Sequence, residues 1–247
     1  MDYICENLKT SDNVKIACNC FRGGHDEVLI IAHGWFMSKN SKAFMQMSQD
    51  FCKYYDVITF DFRGHCDSSG LYTFGAEETK DLEAVVNFAA KKYSKIYLMG
   101  FSLGSLISIN YCALNEKIKK LIVVSAPVNF KKIENNVLSP NAFIPTLKKF
   151  EFKRWISVRF KHPFAKKPEP INLVDKINIP IFFIAGEKDP IIRQWHNAEL
   201  YEHANNPKSV LVFKNGKHAE DIYLENREIF VKNCVDWLNF EEQYVGV

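Results

Sequence analysis

The chain has 247 residues, 47% of them hydrophobic and 25% charged, with a formal net charge of +3. Such a balance gives no bulk-charge argument for nucleic-acid binding, and this apolar content can bury a core without disulfides or metal. No apolar run approaches the roughly 18–20 residues of a membrane-spanning helix, so no integral membrane association is expected.

The first residues, MDYICENLKTSDN, lack the basic region, apolar core and cleavage site of a secretory signal, and a cytoplasmic location is expected. Strands are predicted at Ile4–Lys9 and Lys15–Phe21, joined by a turn at Ser11-Asp12-Asn13. Cys18 and Cys20 share one side of the second strand. With no histidine pair at metal-site spacing, and seven scattered cysteines in all, reduced thiols are the expectation.

Val28–Ala32 is unbroken and apolar, as befits a parallel strand covered on both faces. Val57–Phe60, Ile96–Met99, Leu121–Val124, Ile181–Ala185 and Val210–Phe213 continue the series. Helical spacing runs through Glu77–Tyr93, where Leu82, Val85, Val86 and Ala89 form one stripe. Leu103–Leu114, Trp195–Ala204 and Tyr223–Phe240 are the other predicted helices. This alternation predicts an α/β fold with a mostly parallel sheet, whose ligands bind at the carboxyl ends of the strands. Residues 128–176 break the rhythm: five prolines divide them, and they read as an insertion over the mouth of the sheet within a single domain of residues 1–247.

Gly100-Phe101-Ser102-Leu103-Gly104 fits G-x-S-x-G between a predicted strand and a predicted helix, the setting that exposes a serine hydroxyl on a tight turn. Serine needs a base and an orienting acid. His218 follows the last predicted strand and Asp189 the one before it, giving the order Ser102, Asp189, His218. Asp189 also precedes Pro190, where an aspartate caps a helix start, and Glu220 and Asp221 are rival orienting acids. His33-Gly34-Trp35 follows Val28–Ala32, and the backbone N–H groups of Trp35 and Leu103 are the candidate oxyanion donors. His33 is expected to shape that turn without transferring protons.

With HGW at 33–35, DFRGHCDSSG at 61–70, GFSLG at 100–104, GEKD at 186–189 and KHAED at 217–221, the chain resembles the α/β-hydrolase superfamily. Within it the resemblance is to small bacterial-type carboxylesterases of the feruloyl-esterase and monoacylglycerol-lipase-like groups. It implies an eight-stranded sheet with strand 2 antiparallel, a cap after strand 6, no cofactor, and Ser102, Asp189 and His218 as the triad. Where the family usually reads RGHG, this chain has Cys66 after His65. A positive φ there would strain the turn, and Cys66 is open to a structural or a reactive reading.

Between Lys131 and Lys167 ten basic residues face two acidic ones, so this stretch carries +8 while the whole chain carries +3. Aromatic residues interleave with them, which suggests rings turned inward and lysines outward. A solvated basic face and an attraction for anionic substrates or an anionic interface both fit. The expected reaction is hydrolysis of a small-molecule ester through an acyl-enzyme. Thioester cleavage, acyl transfer or C–C hydrolysis by the same residues are the enzyme alternatives, and a non-catalytic ligand-binding receptor is the alternative of another class.

Overall fold

The computed structural model describes residues 3–133, 157–161 and 167–241. Eight strands form one sheet: β1 (Tyr3–Lys9), β2 (Lys15–Phe21), β3 (Glu27–Ala32), β4 (Asp56–Phe60), β5 (Lys95–Phe101), β6 (Lys120–Val124), β7 (Ile181–Gly186) and β8 (Lys208–Phe213). Their order is β1-β2-β4-β3-β5-β6-β7-β8. β2 runs antiparallel to both neighbours, and every pairing from β4 to β8 is parallel.

The apolar runs alternate between two cores. Val28, Ile30 and Ala32 face one side with Ile58, Leu98 and Leu121, and Leu29 and Ile31 face the other with Val57, Met99 and Ile122. The first face is covered by α2 (Thr79–Ala89), α3 (Leu103–Cys112) and α4 (Gln194–His203), which contribute Leu82, Val85, Leu106 and Leu200. On the other face lie α1 (Lys42–Phe51), α5 (Glu220–Glu225) and α6 (Arg227–Asn239), through Phe44, Met47, Ile222 and Phe230. Burial on both faces is why these strands read as continuous apolar runs.

Three differences from the sequence expectation have local causes. The helix expected over Tyr223–Phe240 is two helices, interrupted at Asn226 (φ −135°, ψ 37°), whose carbonyl accepts the Phe230 N–H at 2.8 Å. α1 was not expected at all, although Ala43, Phe44, Met47 and Phe51 have helical spacing and are buried. α2 starts later than expected because the buried Glu78 carboxylate is occupied upstream, accepting from Thr73 N–H (2.6 Å) and Gly75 N–H (2.7 Å).

Most of the insertion expected at 128–176 lies outside the described residues. Its described middle, residues 157–161, lies along the loop after β4, with one parallel bridge between Tyr72 and Phe160. Its end forms short 3-10 turns at Pro170–Asn172 and Val174–Lys176. Lys167 does not follow the expectation of outward lysines. Its ammonium lies 4.7 Å from the centre of the Phe130 ring and 5.2 Å from that of Phe74, and burial pushes its pKa down. All seven cysteines are free thiols; Cys18 and Cys20 are buried, and burial raises both thiol pKa values.

Candidate active site

β5 ends at Phe101 and α3 begins at Leu103, so the whole turn falls on Ser102, which adopts φ 52°, ψ −116°. This conformation is costly for a residue with a Cβ and persists only where the surroundings impose it. Here they do: Ser102 N–H donates to the Val124 carbonyl at 2.8 Å, and the buried Ser105 hydroxyl donates to the Gly100 carbonyl at 2.6 Å. The flanking glycines are required by close approach. A Cβ on Gly100 would sit 2.7 Å from the Gly104 carbonyl oxygen, and one on Gly104 would sit 2.4 Å from that of Ala32. Neither approach leaves room for a methyl group.

His218 and Asp189 come to Ser102 on the loops after β8 and β7. Those loops touch at Gly186, where a Cβ would meet the Lys217 carbonyl oxygen at 2.3 Å. The His218 Nε2 lies 3.0 Å from Ser102 Oγ, and its Nδ1 lies 2.8 Å from Asp189 Oδ2 and 3.0 Å from Oδ1. The rivals Glu220 and Asp221 do not take that place. Asp189 Oδ1 also accepts the N–H groups of Ile191 (2.9 Å) and Ile192 (2.8 Å), so one carboxylate both caps its own turn and holds the imidazole. Burial works hardest against its ionisation. His218 and the two N–H donors together outweigh burial and hold the Asp189 carboxyl below its ordinary range.

Leu103 follows Ser102 directly, and Trp35 follows Gly34, which packs against the elbow. Leu103 is the first residue of α3, where an N–H has no helical acceptor. The turn carrying Trp35 presses on the elbow: a Cβ on Gly34 would be 3.3 Å from both the Phe101 carbonyl oxygen and the Ser102 Cβ. His33 sets this turn. Its Nε2 accepts the Phe62 N–H at 3.1 Å, so the proton is on Nδ1, which donates to the Gly34 carbonyl at 2.6 Å. In a trans peptide the C=O and the next N–H point oppositely. Fixing Gly34 O therefore aims the Trp35 N–H away from His33.

Sequence reasoning did not single out Ser105 or Ser125. Ser125, at φ 51° just after β6, accepts the Ala219 N–H at 3.0 Å and so fixes the residue next to His218. Neither serine stands in a recognisable motif, and a serine after an apolar strand is an ordinary turn residue.

The remaining motif, Asp61–Gly70, builds the wall beside the site. Arg63, 2% exposed, ties Asp12, Glu77 and Asp81 together. Cys66 does take a positive φ, 36°, and its half-buried sulfur accepts a hydrogen bond from the Ser157 hydroxyl at 3.3 Å. Among the described residues no group of three or more His, Cys, Asp or Glu side chains is placed to hold a metal.

A family model for the α/β hydrolase fold matches residues 27–155, more than half of the chain, and the chain belongs to that family. It is 26% identical over 229 residues to the YqkD protein of Bacillus subtilis (strain 168), covering 87% of this chain and 72% of that one. Among solved structures it is similar to the Pyrococcus furiosus esterase Pf2001, with a TM-score of 0.77 and 25% identity over 96% of this chain and 92% of that one. The esterase RhEst1 from Rhodococcus sp. ECU1013 has a TM-score of 0.76 at 17% identity, covering 93% and 96%, a likeness of fold alone. Family and neighbours together support a hydrolase.

Proposed function

We propose that this chain is a serine hydrolase that cleaves carboxylic esters through an acyl-enzyme intermediate. The observation that carries the reading is the continuous chain of hydrogen bonds from Asp189 through His218 to Ser102 Oγ, with the serine held on a strained turn. The esterase Pf2001, at 25% identity over nearly the full chain, supports an ester as the substrate class.

In this mechanism Ser102 Oγ attacks the ester carbonyl carbon as its proton passes to His218 Nε2. Asp189 holds the Nδ1–H and stabilises the imidazolium. The negative charge that develops on the former carbonyl oxygen is met by the Trp35 and Leu103 N–H groups. Collapse expels the alcohol, which takes the proton from His218 and leaves an acyl group on Ser102. Water, deprotonated by His218, then attacks the acyl carbon, and the acid departs as Oγ recovers its proton. Residues 128–176 act in this reading as a cap inserted into one domain.

A fluorophosphonate probe and p-nitrophenyl esters of graded acyl length test the proposal. The wild-type chain should be labelled on Ser102 and turn over at least one ester, and Ser102→Ala should lose both while remaining folded. A folded wild-type chain that takes no label, or an unimpaired S102A, refutes it.

A further inference from the structure

The sheet ends on one side at β8, which pairs only with β7. The Ile181 N–H donates to the Pro207 carbonyl and the Glu187 N–H to the Phe213 carbonyl, both at 3.1 Å. Backbone groups alternate in direction along a strand, so the odd-numbered residues of β8 bond to β7. The N–H and C=O groups of Lys208, Val210 and Val212 therefore turn to the open edge, where no described residue takes them up. Val210 is 42% exposed. Natural sheets blunt such an edge with charge, proline or a bulge. The opposite edge, β1, has Glu6 and Lys9 along its length. Between Lys208 and Lys214, β8 has no charged residue. The Lys208 ammonium is itself drawn to the C-terminus of α4, donating to the carbonyls of Tyr201 (2.7 Å), Glu202 (3.2 Å) and Ala204 (2.8 Å).

This edge is complementary to itself. Residues 208–214 read Lys-Ser-Val-Leu-Val-Phe-Lys, with valines and lysines placed symmetrically about Leu211. A two-fold axis at Leu211, normal to the sheet, sets Val210 opposite Val212 of a second copy, each such pair exchanging both N–H···O bonds. The ends match in charge. Lys208 and Lys214 leave the strand on the face that α4 covers, since side chains an even number apart share a face and Lys208 reaches α4. The same axis brings exposed Lys214 of one copy to the other's α4 C-terminus, where Glu202 is exposed and the helix dipole is negative. An arbitrary extended peptide would gain the backbone bonds without this charge match.

We propose that the β8 edge is the interface of a homodimer, in which the sheets of two copies join as antiparallel neighbours through Val210 and Val212 about a two-fold at Leu211. Pairing covers the free edge and the exposed Val210 side chain together. An isologous join closes on itself, so assembly stops at two chains. The interface uses no residue of the proposed triad and is testable apart from ester hydrolysis.

The test is sedimentation velocity of the full chain, which should run as a dimer at about 100 μM. Val210→Lys installs a natural edge guard at an exposed position and should weaken association about 100-fold, because the join would bury an unpaired ammonium. Thermal melting checks each variant's fold, and Val212→Lys is the second variant should V210K lose it. Lys214→Glu should weaken the dimer about fivefold, and adding Glu202→Lys to it should restore association. Under mild oxidation Leu211→Cys should give a disulfide-linked dimer that the wild type, with its exposed Cys5, does not. Opposed residues of a non-hydrogen-bonded pair lie about 4.5 Å apart at Cα, within reach of that bond. A wild type that is monomeric at the stated concentration, undiminished association of a folded V210K or V212K, no recovery in the charge exchange, or an L211C chain that stays unlinked overturns the proposal. A dimer that forms only after residues 242–247 are deleted assigns the edge to that segment and overturns it too.

Discussion

Two of the buried polar networks among the described residues have opposite designs. Around Arg63 the network closes on itself: Nε and Nη2 reach Asp81, Nη1 and Nη2 reach Asp12, and Nη1 also reaches Glu77, all at 2.8–3.1 Å. The Asp81 carboxylate also accepts the Arg63 N–H at 2.8 Å. Four of the five guanidinium protons donate hydrogen bonds and Nη2 also pairs with Asp81, so little donor capacity remains for a ligand. The Asp189–His218–Ser102 chain is open at one end. Asp189 is buried and saturated, His218 is 13% exposed, and the Ser102 hydroxyl stands on a turn that bares it. The first arrangement suits holding a loop in place, and the second suits moving a proton.

The contrast is broken most severely at Asp189. Asp189→Asn preserves an acceptor for the Ile191 and Ile192 N–H groups but withdraws the charge behind His218. We expect kcat for ester hydrolysis to fall about 10⁴-fold with little change in melting temperature. A D189N enzyme within tenfold of wild type would place the proton chemistry elsewhere.

Arg63→Ala should do the reverse. It strands the Asp81 and Asp12 carboxylates and should lower the free energy of unfolding by about 3–5 kcal/mol, measured in urea. Activity per folded molecule should change far less than in D189N. Arg63→Lys should rescue little, since an ammonium cannot reproduce the planar fork.

A pH titration of stability probes the wall beside the site. Burial pushes the pKa of His65, fully enclosed between His33 and Tyr72, down to about 3 from 6.5. Between those values the unfolded chain binds a proton that the folded chain does not, so stability falls as pH falls. His65 alone should remove about 2 kcal/mol between pH 6.5 and 5, and His65→Phe should flatten that limb. Asp12 acts lower down: its hydrogen bond from Arg63 depresses the carboxyl, so its contribution is present above pH of about 4 and disappears on further acidification. An unchanged slope in H65F would assign the acid limb to other groups.

The smallest effect is expected from the supports of the open network. Ser125→Ala removes the acceptor for Ala219 N–H and should lower kcat/KM by about 1 kcal/mol, roughly fivefold, without changing the reaction's products. A larger loss would mean that the His218 loop depends on this single bond.

Much of the fold was legible in the chain. Five apolar runs gave the inner strands β3 to β7 because parallel strands buried on both faces cannot alternate with polar residues, a sixth gave the edge strand β8, and the predicted boundaries of β2 and β3 lie within a residue of those observed. The helix break at Asn226 was not legible, since the apolar spacing continues through it. Around Ser102 the glycines were readable because the backbone approaches they permit are imposed by the turn. Ser125 was not, for its partner lies 94 residues away, and Ser105 was not, for besides Gly100 its hydroxyl meets the Val124 carbonyl at 3.0 Å, 19 residues away.

By itself the sequence determined the class of fold and the order Ser102, Asp189, His218, because local hydrophobic period and turn chemistry are written residue by residue. Only the tertiary structure decided that Asp189, not Glu220 or Asp221, faces the His218 Nδ1, and that the Phe62 N–H on His33 Nε2 leaves the His33 Nδ1–H to hold the Gly34 carbonyl. It also decided that Lys167 lies over two aromatic rings. Each depends on at least one group distant in the chain, Phe62 in the case of His33, arriving to within a few tenths of an ångström, and that distance is set by the packing of the whole sheet.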